Sequence, residues 1–558
     1  MNLSAFFALP APVRLPPSWR RSWSAEGLLL AISVFLLSAN SAFFRQALTG
    51  RSLGDPSSWG WGLTLAVALL ALNFLVLGLM CHGRLLKPVA ALLILLAAGG
   101  SHFIATFGIY LDPSMLRNAL RTDPAEAGEL IGLALLASLL FKGVLPAALM
   151  WRVPLRRLPF WRAQGRRALW LLGALLLLVA AILVEFRPLS SMMRNQRDLR
   201  YLVTPANLVW STGSVVAADL KGAAKPRQAI GLDAAPGPRM SARTRPMRVV
   251  LVVGETARAA NWGLNGHARQ TTPELAAVPG LINFPQVSSC GTNTEVSVPC
   301  MFAPVGRRDY DEARIRGSES LLHVLARAGV EVLWRDNQSG CKGVCDGLPS
   351  QEMVQINPPG LCADGRCLDE ALLAGLDERL ARAQGSGLIV LHMLGNHGPA
   401  YFRRYPERFA RFQPACPSDD LRQCDSTAIA NAYDNALLYT DHVLATLIVR
   451  LKAQAQSDQV DTAMIYLSDH GESLGESNLY LHGLPWAIAP EVQKRVPMVM
   501  WFSDGLARQE RIDLDCLRRR AAQPAAHDHL FHTLLGLLDV RTALHEPALD
   551  LLAGCRRS

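Results

Sequence analysis

Residues 247–256 read MRVVLVVGET. The run is apolar and rich in β-branched valine with little polar alternation, the pattern of a strand covered on both faces. It ends at Gly254, and the next residue is a carboxylate, Glu255. Runs of the same kind recur as VEVLWRD (330–336), GLIVLHML (387–394), AMIYLS (463–468) and PMVMWFS (497–503), separated by stretches of helical character. Short strands alternating with helices predict a parallel-type α/β sheet with helices on both faces. Glu255, His397, and Asp469 with His470 follow three of these runs. Ligands of open α/β sheets bind beyond the carboxyl ends of the strands, so these residues are expected to converge in one crevice.

Between the first two runs lies SSCGTNTEVSVPCMF, residues 288–302. Cys290 and Cys300 bracket a polar segment with Thr292 and Thr294, and Gly291 stands where backbone must come close to a ligand. This reads as a nucleophile held in a disulfide loop. A threonine hydroxyl is a poor nucleophile at neutral pH and needs a base or a metal beside it. Glu255, Asp469 and His470 are of the types that bind hard or borderline cations.

The 558 residues are 50% hydrophobic and 18% charged, too long for one domain and too apolar for a wholly soluble protein. Five stretches near 26–46, 61–80, 87–110, 128–150 and 168–187 are long enough to cross a bilayer, which takes about 20 residues. Residues 1–187 carry 17 Lys and Arg against 7 Asp and Glu, whereas the remainder has 39 of each. The excess therefore lies beside the apolar spans and is a topology signal, not a nucleic-acid footprint. Arg14, Arg20 and Arg21, then Arg84 and Lys87, then six arginines from Arg152 to Arg167 mark segments without acids. By the positive-inside rule these are cytoplasmic, which puts the N-terminus inside and everything after 187 outside. Four further spans follow the first, so it is read as an uncleaved anchor and not as a signal peptide.

The segment 111–127, LDPSMLRNALRTDPAEA, lies on the outer side in this topology. Asn118, Thr122 and Glu126 recur every four residues and would share one helical face, with Pro124 breaking or kinking the helix. Pattern alone is equally satisfied by a solvated face. Residues 188–246 begin with the interfacial-looking YLVTPANLVW and then become rich in Pro, Gly, Ala and Arg, the composition of a linker. The predicted organisation is a five-helix α-helical membrane domain (1–187), an interfacial helix and linker (188–246) and an α/β domain (247–558).

Eight of the eleven cysteines form close pairs, Cys290 with Cys300, Cys341 with Cys345, Cys362 with Cys367, and Cys416 with Cys424, leaving Cys81, Cys516 and Cys555. In a reducing compartment such spacings would raise a structural zinc site. The outside topology favours disulfides.

Taken together, GETAR, SCGTNTEVSVPCMF, GCKGVCD, GNHGPAY, YDNALLYTD, and SDHGESLGE followed by YLHGLP, in that order, resemble the phosphoethanolamine transferases that modify lipid A. That family includes the mobile colistin-resistance enzymes and belongs to the alkaline phosphatase and sulfatase superfamily, and the resemblance covers nearly the whole chain. It implies that Thr294, not Thr292, is the nucleophile, and that Glu255, Asp469, His470 and the Thr294 oxygen hold a zinc ion. Carboxylate and imidazole suit zinc better than magnesium or calcium. Lys342, His397 and His482 match positions near the substrate, the two histidines being candidates for a second zinc. Asn118, Thr122 and Glu126 match positions that contact a lipid headgroup. Asp434 reads as a packing residue. Glu295 departs from the family, where a small apolar residue is expected.

The implied activity is transfer of phosphoethanolamine from phosphatidylethanolamine to a phosphate of lipid A, through a zinc-activated phosphothreonine, with polymyxin resistance as the outcome. The implied setting is a Gram-negative inner membrane with a periplasmic catalytic domain, in a monomer that contacts membrane lipids and no nucleic acid. Alternatives are transfer to an inner-core lipopolysaccharide sugar, a membrane-anchored phosphodiesterase or phosphoglycerol transferase, and a non-catalytic sensor. Intact Thr294, Glu255, Asp469 and His470 speak against the last.

Overall fold

The structure is a computed structural model and describes residues 22–52, 54–122, 124–223, 226–382, 384–457 and 460–557. Arg14, Arg20 and Arg21 lie outside the described residues. The chain divides into two compact units, Met1–Ala105 with Leu133–Val209, and Thr106–Gly132 with Trp210–Ser558.

The first unit is built on helical spans long and apolar enough to cross a membrane, Ala25–Ala47, Pro56–Met80, Gly83–Phe107, Leu133–Arg152 and Phe160–Val184. Phe160–Val184 leaves most of its apolar side chains exposed, a surface that suits lipid and not water. Basic residues close the helix ends. Arg167 donates to the carbonyls of Gly78 (3.0 Å) and Cys81 (2.8 Å), which a helix terminus leaves without intrahelical partners. Glu26 pairs with Arg166 (2.5 Å) and Arg167 (3.5 Å). Lys87 Nζ donates to the carbonyls of Trp151 (2.6 Å) and Val153 (2.8 Å).

The second unit is an α/β domain around an eight-stranded sheet. Its strands are β1 (Met247–Gly254), β2 (Ile282–Ser288), β3 (Glu331–Asp336), β4 (Ser350–Glu352), β5 (Ser386–His392), β6 (Asp461–Ser468), β7 (Arg495–Phe502) and β8 (Ala525–Ala526). Their spatial order is β8-β2-β7-β6-β1-β5-β3-β4. Every residue of β1 is buried, as its unbroken apolar pattern requires. Successive side chains enter opposite cores: Val249, Leu251 and Val253 join one, Val250 and Val252 the other. The helix Ser426–Gln456 packs on the second of these, its N-terminus capped by Asp425, which accepts from the Ala428 N–H at 2.8 Å.

Three features depart from the sequence reading. β2, with its internal Pro285 and polar residues, lacks the apolar signature of the others, yet it pairs with β7. β7 runs antiparallel to both neighbours, because residues 469–494 stay at the carboxyl end of β6 and the chain must run back. The part of the expected linker near residue 235 is tied down: Ala235–Pro236 pairs with Val540–Arg541, and Asp539 accepts from the backbone of Arg239 (2.7 Å) and Met240 (3.0 Å).

Disulfides join Cys290 to Cys300, Cys341 to Cys345, Cys362 to Cys367, Cys416 to Cys424 and Cys516 to Cys555. Cys81 is free and buried. Alkylation of membrane-extracted protein followed by non-reducing peptide mapping is expected to recover these five crosslinks with alkyl label on Cys81 alone. Label on Cys516 or Cys555 in the folded protein would contradict the fifth bridge.

Candidate active site

Four strands end at the same place. β1 delivers Glu255, β3 ends in Asp336, β5 ends in His392 and leads to His397, and β6 delivers Asp469 and His470. The ligand atoms of Glu255, Asp469 and His470 lie within 4.8 Å of one another, and all three residues are buried. Thr294 Oγ1 is 3.2 Å from both oxygens of Glu255 and 3.5 Å from His470 Nε2. His470 Nε2 lies 3.3 Å from Asp469 Oδ2, which has no hydrogen-bond partner among the described residues. His470 Nδ1 donates to the carbonyl of Gly471 at 2.9 Å, leaving Nε2 as the ligating nitrogen.

The hydroxyl is placed by its loop. Thr294 opens the helix Thr294–Met301, and Asn293 caps it by accepting from the Val296 N–H at 3.0 Å. An anion on Thr294 would thus meet the positive end of a helix. Gly291 has no room for a side chain, since a Cβ would stand 2.8 Å from the Ser297 nitrogen. His527 pins the loop to the sheet: its Nδ1 accepts from the Cys290 N–H at 3.1 Å, and its Nε2 donates to the Ser468 carbonyl at 2.9 Å. Burial lowers the His527 pKa to about 4, which keeps the neutral tautomer that both bonds need. Ser297 Oγ adds a bond to the Asp469 carbonyl.

Electrostatics favour a cation here. Burial, followed by the Glu255 charge, raises Asp469 to about 7. Burial opposes the charge of His470, yet Asp469 and Glu255 raise it to about 10. Burial also opposes ionisation of Glu255, but His397, His470 and His392 outweigh it and hold the carboxyl well below its usual range. Such a cluster draws protons that a divalent ion would displace. Behind it, His392 Nδ1 meets Asp336 at 2.9 Å and its Nε2 faces Glu255 at 4.0 Å.

His397 Nε2 is 3.9 Å from Glu255, and the His482 ring lies 4.3 Å from that of His470 and 5.5 Å from that of His397. Both border the cluster. His482 Nδ1 approaches Glu472 at 3.4 Å. The His397 loop turns at Gly395, φ 53°, where a Cβ would stand 2.5 Å from the Glu255 carbonyl. Asp434 is buried beneath Asn261, His267 and Arg269, a packing arrangement.

Lys342 lies 3.6 Å from Glu295, which is fully buried. Glu295 also pairs with Arg121 (3.2 Å) and Arg316 (3.3 Å). It therefore gathers three cations beside Thr294. Thr122 Oγ1 donates to the carbonyl of Asn118 at 2.9 Å, so the recorded contact of this pair is internal to its segment. Helices Pro113–Leu120 and Pro124–Glu129 flank that turn, and the side chain of Glu126 lies outside the described residues. Other residues of the segment reach the α/β domain: Arg121 meets Glu295, Arg117 meets Glu312, and Glu129 meets Arg404 and Arg366, both at 2.6 Å. Arg404 Nε in turn donates to the His397 carbonyl at 2.6 Å. Sequence reasoning passed over Arg117, Arg121, Glu129, His392 and His527, whose partners are far away in the chain; a lone buried-strand histidine such as His392 was the one local signal.

A threonine hydroxyl before a compact acid and imidazole cluster, at the strand ends of a doubly covered sheet, defines a sulfatase-like domain. The Sulfatase family model matches residues 248–540, and the model described as phosphoethanolamine transferase EptA/EptB matches residues 69–220. Phosphoethanolamine transferase EptA of Escherichia coli K12 is 40% identical over 95% of this chain and 96% of its own length. Phosphatidylethanolamine transferase Mcr-1 of Escherichia coli is 39% identical over 94% of this chain and 96% of its own. The integral membrane lipooligosaccharide phosphoethanolamine transferase A of Neisseria meningitidis superposes with a TM-score of 0.91 at 36% identity, covering 96% of this chain and all of that one. The chain belongs to the phosphoethanolamine transferase family of membrane enzymes.

Glu295→Ala would leave the buried Lys342 without its carboxylate. Removing one member of a buried ion pair costs on the order of 3 kcal/mol. Thermal unfolding of the variant is expected to show a lower midpoint; an unchanged midpoint would mean that the cluster relaxes into water.

Proposed function

We propose that this enzyme transfers phosphoethanolamine from phosphatidylethanolamine to a phosphate of lipid A, with Thr294 as the nucleophile. The observation that carries the reading is the Thr294 hydroxyl, held 3.2 Å from both Glu255 oxygens within a cluster of cation-binding atoms. The acceptor class is supported by relatives named for lipooligosaccharide and, at 27% identity, for Kdo(2)-lipid A.

Glu255, Asp469 and His470, with the Thr294 oxygen, fit a zinc ion: one imidazole nitrogen and carboxylate oxygens face one point, and Asp469 Oδ2 makes no hydrogen bond among the described residues. Zinc would lower the pKa of the hydroxyl and polarise phosphoryl oxygens. His397 and His482 would hold a second ion. Glu255 accepts the hydroxyl hydrogen bond and so orients Thr294 Oγ1. The Thr294 oxygen attacks the donor phosphorus, the bond to the diacylglycerol oxygen breaks, and diacylglycerol departs as the protonated alcohol. A lipid A phosphate oxygen then attacks the same phosphorus, the bond to Thr294 breaks, and the threonine oxygen regains a proton. Lys342 balances charge on the equatorial oxygens during both steps.

Asn118, Thr122 and Glu126 would hold the lipid headgroup, in a segment fastened to the α/β domain by Arg121–Glu295 and Glu129–Arg404. The setting is the inner membrane, N-terminus inside, with catalysis at the periplasmic face where both lipids present their heads. Capping a phosphate with an ammonium-bearing group weakens the attraction of lipid A for cationic polymyxins.

Mass spectrometry of lipid A from polymyxin-sensitive Gram-negative cells expressing the chain is expected to show added phosphoethanolamine, absent with Thr294→Ala. Elemental analysis of the purified protein should find zinc, strongly reduced in Asp469→Asn. Unmodified lipid A with a modified core sugar would transfer the assignment to the other acceptor, and a fully active Thr294→Ala would remove the nucleophile.

A further inference from the structure

A second cationic site lies beside the nucleophile loop. The Arg307 guanidinium lies over two aromatic rings, its carbon 4.5 Å from the Trp486 centroid and 4.9 Å from that of Tyr310. Lys494 Nζ approaches the same Trp486 ring at 5.5 Å. Trp486 follows Leu484, whose carbonyl accepts from Thr292 Oγ1 at 2.6 Å, and Arg307 Nη1 donates to the Cys290 carbonyl at 3.4 Å. The site thus grips the loop two to four residues before Thr294 and shares a loop with His482.

A guanidinium that packs on aromatic rings keeps its N–H edge for a ligand, the edge that matches a phosphate. The bond to Cys290 is the side-chain hydrogen bond Arg307 makes among the described residues, and no carboxylate pairs with it there. Asp528 is close, but its oxygens accept from the backbone N–H groups of Arg307 (2.8 Å) and Arg308 (3.0 Å). Burial pulls the Arg307 pKa below its usual value, so its charge is costly to keep without an anion. Lys494 pairs with Glu491 at 3.3 Å, a largely exposed acid that holds it weakly. Beyond Trp486 the loop exposes Ala487 and Ile488, an apolar rim one and two residues past the indole. Stacked guanidinium, ammonium, indole face and apolar rim together suit a phosphorylated sugar carrying acyl chains.

We infer that Arg307, Lys494 and Trp486 form the acceptor subsite, binding the phosphorylated head of the lipid that receives the group from Thr294. This rests on the transfer reading above and adds to it the residues that select the acceptor. The anionic phosphate is the shared chemistry of lipid A and of simpler anionic lipids, and the experiment separates them.

The test uses full-length enzyme in vesicles containing phosphatidylethanolamine, with or without lipid A, and follows diacylglycerol release and lipid A modification in parallel. Arg307→Gln and Lys494→Gln are expected to raise the apparent KM for lipid A roughly tenfold or more, the size of a lost charge-assisted bond. The ratio of lipid A modified to diacylglycerol released should fall, and Arg307→Lys should recover part of it. Wild-type transfer with an unchanged KM in both variants would overturn the subsite. A parallel fall in diacylglycerol release, leaving the ratio constant, would also overturn it, by showing that Arg307 only supports the nucleophile loop. Inhibition by phosphatidylglycerol at equal surface density, abolished in the variants, would reassign the site to bulk anionic lipid. Failure of the wild type to modify lipid A while releasing diacylglycerol would instead refute the acceptor proposed above.

Discussion

Two buried carboxylates and an imidazole share one point at the end of the sheet, and much of the catalytic unit serves to keep them there. Like charges at this spacing in a dry site repel strongly unless protons or a cation intervene. Asp469 and His470 show the consequence, with pKa values raised to about 7 and about 10. The scaffold resists the repulsion through the strands: β1 and β6 are adjacent and parallel, with Gly254 paired to Ser468, so Glu255 and Asp469 emerge side by side. His527 and Ser297 then fasten the nucleophile loop to the same strand end. A site so tightly held is preorganised, and positioning is a large part of what phosphoryl transfer asks of a protein.

The second constraint is the hold of the α/β domain on residues 106–132. Arg117, Arg121 and Glu129 each find an opposite charge there, and two of these contacts lead to the cluster: Glu295 follows Thr294, and Arg404 holds the carbonyl of His397. The segment connects the third and fourth apolar helices in sequence, yet it belongs to the compact unit of the catalytic domain. Residues 106–132 and the acid and imidazole cluster are therefore parts of one compact unit. Glu295, where the resemblance leads one to expect a small apolar residue, is the hub: its carboxylate draws Lys342, Arg121 and Arg316 together, so it offsets cations and does not oppose an anionic substrate directly.

What was legible in the sequence follows physical range. The runs at 247–254 and 463–468 could be read as strands because burial on both faces leaves an unbroken apolar string, and the residues just past them could be read as a site because strand ends are where such sheets bind. Cysteine pairs 4 to 10 residues apart were visible as pairs; Cys516 and Cys555, 39 apart, carried no such cue. β2 escaped because Pro285 and its polar neighbours mimic a loop, while its partner β7 supplies the register. The ion pairs of Arg121 with Glu295 and Glu129 with Arg404 join residues 174 and 275 positions apart, and nothing local marks them. Nor does spacing show that Arg307 packs on Tyr310 and Trp486.

The proposed transfer requires a covalent intermediate at one hydroxyl, and peptide mass spectrometry addresses it most directly. Full-length enzyme is mixed with phosphatidylethanolamine in the absence of lipid A, quenched in acid and digested. The peptide containing Thr294 is expected to carry the mass of one phosphoethanolamine less water, localised to Thr294 by fragmentation and cleared when lipid A is added before the quench. Diacylglycerol release and lipid A modification with no adduct at any time point, or an adduct localised to Thr292, would contradict it.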